Sequence, residues 1–481
     1  FEDIKDYSNK YANIFVEDGI KKGDHVMVVL KRQYEYWFTA IALHKIGAIM
    51  IPATHMLTVS DFSYRIKKAN VKAVICTAKD EVTDKIYKAT QESELNIKLY
   101  CVQKDVEHFC NLTTRYQTSS TNFERIDTLA TDPMLLYFTS GTTGEPKGVI
   151  HNYSYPLAHI ITAIYWQQAE DDGLHFTIAE TGWAKASWGK LYGQWLVGSA
   201  VMVYDFDNFN PSQIINIINK YRVTSFCAPP TVYRYLTLKG IPKLTNLKHA
   251  STAGEQLAPE IFDSFTAQTG LLLYEGYGQT ETTLLMANFK GKEPTPSSMG
   301  EISPLYNIEL QDANGEKVKD GELGEVVIIL PKDKPQIGLF SSYLDNSEQY
   351  QYAYRGGVYH TGDVAYKDAK GKYWYHGRFD DLIKTGGFRV GPFEIEHILI
   401  SHPAVLECSV IGVEDRLRSQ AIKACIVLKQ EYSASVALEK NIKEFCNHQL
   451  AEYKWIRTIE FVLALPKTIS GKVKKNVLRG L

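Results

Sequence analysis

Apolar positions along the first 280 residues alternate between two periods. Short runs rich in β-branched and aromatic residues occur at 25–30, 49–51, 71–76, 97–102, 134–138, 174–179, 200–204 and 271–274. Between them lie stretches whose apolar residues recur every three to four positions, at 34–46, from Ser60 onward and at 211–221. Strand–helix–strand alternation of this kind predicts helix-covered, mainly parallel sheets, with ligand sites in loops at the carboxyl ends of the strands. After about residue 300 the rhythm becomes strand-rich. The turn signals Asp312-Ala313-Asn314-Gly315 and Asp368-Ala369-Lys370-Gly371 predict hairpins or a small β-barrel. A separate unit begins near 380, with a helix at 395–399, strands at 409–413 and 422–428, a helix carrying Leu438, Ile442, Phe445 and Cys446 on one face, and a last strand at 459–465. The expected fold is α/β: a large N-terminal domain of such sheets plus the barrel over 1–379, then a small α+β C-terminal domain over 380–481.

A chain of 481 residues exceeds what one hydrophobic core spans, so more than one domain is expected. With 53 Lys+Arg against 55 Asp+Glu, the chain lacks the basic footprint of a sequence-independent nucleic-acid binder. The most apolar stretch, 37–57, is interrupted by His44, Lys45 and Pro52, so no transmembrane helix is expected. Seven scattered cysteines with no C-x-x-C read as reduced thiols of a cytosol-like compartment. The chain opens at Phe1 with a helical pattern already under way, so upstream residues are expected to be missing. A cytoplasmic address is expected, or a mitochondrial matrix one if a targeting peptide was removed.

The run Tyr137-Phe138-Thr139-Ser140-Gly141-Thr142-Thr143-Gly144-Glu145-Pro146-Lys147-Gly148 follows an apolar strand. Its small residues let backbone N–H groups approach phosphate oxygens, and Lys147 adds a point charge. Pro146 stands where a Walker A loop requires glycine, and G-K-[ST] occurs nowhere in the chain, which disfavours P-loop NTPases. Four further segments follow in order: Tyr277-Gly278-Gln279-Thr280-Glu281, Tyr359-His360-Thr361-Gly362-Asp363, Gly377-Arg378-Phe379-Asp380-Asp381-Leu382-Ile383-Lys384, and Pro466-Lys467-Thr468-Ile469-Ser470-Gly471-Lys472.

Together these segments resemble the AMP-forming acyl-adenylate superfamily of acyl-CoA synthetases, luciferases and peptide-synthetase adenylation domains, over nearly the whole chain. Gly182-Trp183-Ala184-Lys185 and the run from Lys384 to Glu394 look most like medium-chain acyl-CoA synthetases and acetyl-CoA synthetase-like enzymes. The resemblance implies that residues 139–147, with Thr139, Ser140, Gly141, Thr142, Thr143, Gly144 and Lys147, wrap the ATP phosphates. Gly254-Glu255-Gln256 and the strand end Glu275, Gly276, Tyr277, Gly278 and Gln279 would hold adenine. Asp363 would accept from the ribose hydroxyls, with Arg378 beside it. Thr280 would bond the α-phosphate and Glu281 would hold Mg²⁺, as a single carboxylate commonly does in nucleotide sites. Lys472 would offset the repulsion between the attacking carboxylate and the α-phosphate. One departure is visible: the family commonly has Arg at the position of Lys475, so a bidentate contact there is lost.

The resemblance further implies two half-reactions and a mobile lid: acid and MgATP give acyl-AMP and pyrophosphate, then coenzyme A gives acyl-CoA and AMP. The hinge maps to Asp380, and Gly386, Gly387, Phe388 and Arg389 would line the pantetheine tunnel, with Arg418 and Lys454 near the CoA phosphates. Acetate-specific relatives place tryptophan at the position of Gly278. Glycine there implies a medium-chain or otherwise larger-than-acetate acid, in a pocket lined by Trp183, Ala184, Lys185, Trp188 and Tyr192. Other readings are weaker. A Rossmann dehydrogenase is only half-matched by Gly276-Tyr277-Gly278-Gln279-Thr280-Glu281, and hydrolase signatures are absent. Transfer of the acyl group to a carrier protein is disfavoured by Gly387, Arg389 and the Gly182-Trp183 pair. A non-catalytic nucleotide-binding relative is disfavoured by intact Thr280, Glu281 and Lys472.

Overall fold

The computed structural model describes residues 1–79, 81–139, 146–379, 381–385, 388–468 and 471–480, with Arg389 described by its backbone alone. The chain divides into two compact units. The first holds Phe1–Thr139, Pro146–Tyr306 and Pro331–Tyr352; the second holds Asn307–Leu330 and Ala353–Leu481.

In the first unit the strands are β1 (His25–Val29), β2 (Ile49–Pro52), β3 (Ala73–Thr77), β4 (Lys98–Val102), β5 (Cys110–Asn111), β6 (Pro133–Thr139), β7 (Lys147–Asn152), β8 (Leu174–Thr177), β9 (Ala200–Val201), β10 (Ser225–Cys227), β11 (His249–Ala253), β12 (Leu273–Gly278), β13 (Leu284–Ala287) and β14 (Glu301–Ile302). The second unit holds β15 (Asn307–Gln311) and β16 (Gly324–Ile329), and the chain returns to the first for β17 (Ser342–Tyr343). An eight-stranded sheet runs β17-β7-β6-β2-β1-β3-β4-β5 and a seven-stranded sheet runs β14-β13-β12-β11-β10-β8-β9. Both are parallel in the middle; only β7, β17, β13 and β14 join antiparallel.

The continuous apolar runs are strands buried on both faces. Val26 and Val28 of β1 join one core with Trp37, Leu43 and Ile75, whereas Met27 and Val29 join another with Phe62, Ile66 and Val74. The second sheet likewise divides Phe176, Phe226 and Leu273 on one face from Trp166, Trp188, Ala253 and Leu284 on the other. Local signals set the helix ends. Thr58 accepts from the Asp61 N–H at 3.2 Å while the Asp61 carboxylate accepts from the Thr58 N–H at 3.1 Å, a capping box that starts the helix Val59–Lys68.

Two sequence expectations change. The strand expected over 200–204 stops at Val201, because the chain then turns toward the carboxyl ends of β1 and β3. There Asp205 pairs with Lys79 at 3.0 Å, Asp207 pairs with Lys31, and the Arg32 guanidinium lies 4.0 Å over the Phe206 ring. The expected β-barrel is an open sheet. Strands β15, β16, β18 (Val358–Lys367) and β19 (Tyr373–Arg378) pair in that order, and among the described residues no closed barrel forms, four strands being too few to enclose a packed interior. The remaining strands are β20 (Ile383–Thr385), β21 (Phe388–Val390), β22 (Val405–Asp415), β23 (Ser419–Leu428) and β24 (Thr458–Phe461), in a sheet whose core joins Ile395, Leu399, Ile422, Ile426 and Ile442. Among the described residues no helix is long and apolar enough to cross a membrane.

At Gly182 two stretches of backbone approach each other closely. A Cβ there would stand 2.5 Å from the Ala53 carbonyl carbon and 2.6 Å from its oxygen. Neither neighbour is a flexible side chain that could move aside. Gly182→Ala is expected to destabilise the protein by roughly 1–3 kcal/mol through overpacking, read as a lower unfolding midpoint in urea.

Candidate active site

Candidate residues 254–256 and 275–281 lie at the carboxyl end of the second sheet, where β11 and β12 run parallel with Ala253 opposite Gly276. Beyond Ala253 the chain needs Gly254, at φ +98°. Glu255 follows, accepting from the Thr231 hydroxyl at 2.7 Å, and the Gln256 amide donates to the Ser297 carbonyl at 3.1 Å. Glu275 closes this loop from beneath: its Oε1 accepts from the Leu257 N–H at 3.2 Å. Oε2 of Glu275 and Oε1 of Gln256 are buried without a partner among the described residues. Burial of Glu275 raises its pKa to about 8, the hydrogen bond from Leu257 opposing only in part.

At the end of β12 the ladder slips at Tyr277/Gly278, and the chain turns through Gln279-Thr280-Glu281 into β13. The Gln279 N–H donates to the Thr282 hydroxyl at 3.0 Å, which closes the turn. Two large rings fill the space that glycines leave here. A Cβ on Gly276 would lie 2.6 Å from Trp166, and one on Gly278 would strike the Trp188 indole and the Thr283 carbonyl. Trp166 and Trp188 meet edge to face at 6.2 Å. The Trp188 indole, which the sequence placed in the pocket wall, thus lies against the bare peptide at Gly278.

Trp183 caps the helix Ala184–Gly189, and Lys185 from its first turn donates through Nζ to the Ala253 carbonyl. Burial lowers the Lys185 pKa, with the Cys227 thiol and Glu255 opposing it. Tyr192 donates or accepts through its hydroxyl with His44 Nε2 at 2.9 Å. In the first sheet, Thr139 and Lys147 face each other across the β6–β7 ladder, at the two ends of the phosphate-loop sequence. Residues Ser140, Gly141, Thr142, Thr143 and Gly144 lie outside the described residues.

In the second unit Asp363 of β18 and Arg378 of β19 are register partners. The Asp363 carboxylate is buried; its Oδ1 lies 3.5 Å from Arg378 and accepts from the Tyr375 hydroxyl at 3.3 Å. Gly362, at φ +71°, lets the Arg378 guanidinium lie against the backbone, where Nη1 donates to the Thr361 carbonyl at 2.9 Å. Lys472 is exposed on a tight turn: the Thr468 N–H donates to its carbonyl at 2.7 Å and its own N–H donates to the Thr468 hydroxyl at 3.1 Å. Lys475 pairs with Glu396 at 2.8 Å, a single contact where an arginine could make two. Phe388 is exposed and stacks on Tyr453 at 4.3 Å. Lys454 is held by Glu394 at 2.6 Å; burial opposes its charge, but that hydrogen bond outweighs it and leaves the ammonium above the ordinary lysine value. Arg418 is half-buried after β22, its N–H donating to Asp415 at 2.8 Å. Asp380, Gly386 and Gly387 lie outside the described residues.

Two residues that touch this machinery were not singled out from the sequence. Tyr343 donates to Glu281 at 3.1 Å, and His151 lies 2.7 Å from the Thr280 carbonyl. A histidine inside an apolar strand was a readable signal; a tyrosine in a two-residue strand was not.

The AMP-binding enzyme family matches residues 1–344, and the AMP-binding enzyme C-terminal domain matches residues 394–472. The mitochondrial acyl-coenzyme A synthetase ACSM3 of Rattus norvegicus is 38% identical over all of this chain and 83% of its own length. The mitochondrial ACSM4 of Homo sapiens is 36% identical over the same shares. Among solved structures, the anthranilate CoA ligase AuaEII in complex with anthranoyl-AMP superposes with a TM-score of 0.87 at 28% identity, covering 99% of this chain and 91% of that one. The acyl-CoA synthetase of Brucella canis has a TM-score of 0.74 at 28% identity, covering 100% and 88%. The chain belongs to the AMP-binding enzyme family. It is an AMP-forming acid–thiol ligase of the acyl-CoA synthetase kind.

Glu275 yields a pH prediction. Its folded pKa lies above that of the unfolded chain, so the folded state binds the extra proton. Stability is fully present below the unfolded carboxylate range and is lost as pH rises toward about 8. The loss is on the order of 1 kcal/mol per pH unit within that window. Glu275→Gln, which cannot ionise, is expected to flatten the fall between pH 5 and 9 in thermal unfolding; a parallel fall in both proteins would refute the assignment.

Proposed function

We propose that this enzyme adenylates a carboxylic acid larger than acetate and passes the acyl group to coenzyme A. The acid carboxylate attacks the α-phosphorus of ATP and pyrophosphate leaves; the CoA sulfur then attacks the acyl carbon and AMP leaves. The observation that carries the reading is the strand end 275–281 with the neighbouring loop 254–256: an aromatic side chain, Tyr277, the half-exposed Glu281 carboxylate, and two buried oxygens without a partner among the described residues, Glu275 Oε2 and Gln256 Oε1. A purine supplies both the face and the missing partners.

Glu281 fits Mg²⁺. Its Oε1 takes the Tyr343 hydroxyl, and Oε2 has no hydrogen-bond partner among the described residues, which also hold no cluster of three His, Cys, Asp or Glu side chains able to bind a metal by themselves. One carboxylate oxygen, with phosphate oxygens and water, is a usual Mg²⁺ set in nucleotide sites. Such an ion neutralises charge on the phosphates. Thr139–Lys147 hold the phosphates, with Ser140, Gly141, Thr142, Thr143 and Gly144 between them, and Gly254, Glu255, Gln256 and Tyr277 hold adenine. Asp363, braced by Arg378 and Tyr375, takes the ribose hydroxyls.

Lys472 supplies the cation for the first half-reaction. A unit charge pair at about 4 Å is worth roughly 4 kcal/mol at an effective dielectric of 20, or about three decades in rate. Coenzyme A meets Gly386, Gly387, Phe388, Arg389, Arg418 and Lys454, the last exchanging Glu394 for a phosphate. The chain alternates between half-reactions as a domain over 1–379 and a lid over 380–481 hinged at Asp380. The mitochondrial naming of the relatives supports a matrix address.

The acyl group lies between Trp183, Ala184, Lys185 and Gly278, and the Trp188 indole sets its length. Each methylene accommodated contributes about 0.8 kcal/mol, close to fourfold in specificity. A panel of straight-chain acids from acetate to decanoate, with benzoate, assayed for CoA-dependent AMP formation, tests the reading: no AMP with any acid would sink it. Trp188→Leu is expected to move the optimum toward longer acids, by about fourfold in relative kcat/KM per added methylene. Lys472→Ala is expected to lower acid-dependent pyrophosphate release by about three decades while supplied acyl-AMP still reacts with CoA. Equal loss of both half-reactions would count against the role given to Lys472.

A further inference from the structure

The turn that carries Thr280 and Glu281 belongs to the second sheet, yet the side chains that fix it come from the first. Strands β7 and β17 lie side by side at the edge of the first sheet, with Ser342 opposite Ile150 and Tyr343 opposite Val149. Gly148 permits this pairing, since a Cβ there would lie 2.8 Å from the Leu344 Cβ. From β7, the fully buried His151 ring reaches the Thr280 carbonyl, Nε2 to oxygen 2.7 Å. A carbonyl only accepts, so the proton is on Nε2. Burial lowers the His151 pKa to about 4, which keeps the ring neutral and that tautomer in place at neutral pH. The Tyr155 ring, 3.9 Å away, holds the imidazole from one side.

From β17, the Tyr343 hydroxyl donates to Glu281 Oε1 at 3.1 Å. Just before it, the Phe340 N–H donates to the Glu281 carbonyl at 2.8 Å, and the Phe340 and Tyr343 rings pack at 4.6 Å. Two consecutive residues of the turn are thus tied at three points: the Thr280 carbonyl, the Glu281 carbonyl and one Glu281 carboxylate oxygen. A glutamate anchored at its backbone and at one carboxylate oxygen has little rotamer freedom left, and its second oxygen points in one direction.

We propose that Tyr343 and His151 are positioning residues of the adenylation step: Tyr343 aims Glu281 Oε2 at the divalent cation that accompanies ATP, and His151 sets the peptide that carries Thr280. The proposal rests on the roles given above to Glu281 and Thr280. Neither side chain needs to touch a substrate. Hydrogen-bond partners of metal-binding carboxylates commonly change metal affinity or activity by about 10- to 100-fold when removed.

The test compares the unaltered enzyme with Tyr343→Phe, His151→Gln, His151→Leu and Glu281→Gln. Binding of a non-hydrolysable ATP analogue is measured by calorimetry with and without Mg²⁺, alongside a Mg²⁺ titration of acid-dependent pyrophosphate release. Tyr343→Phe is expected to weaken Mg²⁺-supported nucleotide binding by about tenfold and to leave Mg²⁺-free binding unchanged. A purely structural tyrosine would alter both or neither. His151→Leu is expected to lower kcat for pyrophosphate release by about tenfold with KM for the acid unchanged, and His151→Gln, whose amide still offers an N–H, to recover most of that loss. Unaltered Mg²⁺ dependence in Tyr343→Phe overturns the proposal even if His151→Leu fails to fold. If Glu281→Gln itself leaves Mg²⁺ dependence unaltered, the cation-ligand reading of Glu281 falls, and the proposal with it; a strong Glu281→Gln effect beside a silent Tyr343→Phe rejects the positioning role alone.

Discussion

The backbone carbonyl of Thr280 is the point on which the first unit's chemistry turns. Thr280 lies in the turn after strand β12, outside the ladder, and its carbonyl accepts from a buried imidazole of the other sheet. An unpaired carbonyl at that depth would carry a desolvation cost of about 1–3 kcal/mol. Satisfying it with a side chain from β7 ties the turn to the other sheet, beside the bonds that Phe340 and Tyr343 make to Glu281. The residues next to it, the half-exposed Glu281 and the closed Gln279–Thr282 turn, take their directions from that fixed peptide.

Around this point the site is built from backbone more than from side chains. Gly182, Gly254, Gly276 and Gly278 each lie where a side chain would collide with a neighbour or strain the chain. Those absences let the Trp166 and Trp188 rings lie directly against strand β12, so aromatic surface is pressed on bare peptide there. Lys185 contributes an ammonium to the same surface, tethered to a carbonyl and lowered in pKa by burial. The combination is a surface whose shape cannot relax easily.

Much of this organisation was legible in the sequence, for identifiable reasons. Strands such as β1 and β3 read correctly because both of their faces are buried and their apolar runs are unbroken. The strand read at 271–274 is present as β12, which runs on to Gly278 because Tyr277 and Gly278 still pair with β13. What escaped was set by tertiary pairing. Strand β17 is two residues long and owes its existence to β7, so nothing local announced Tyr343. The strand expected through Tyr204 was cut short by ion pairs to Lys79 and Lys31, which no period encodes. The barrel expected after residue 300 was a hairpin count without a closure rule.

Glu275 lies in the strand directly before the turn, and burial keeps its proton on at neutral pH. With a purine at that strand end, as proposed above, the base would meet a neutral carboxyl able to donate as well as accept, where an ionised one could only accept. Burial thus widens the set of ring edges this carboxyl can recognise.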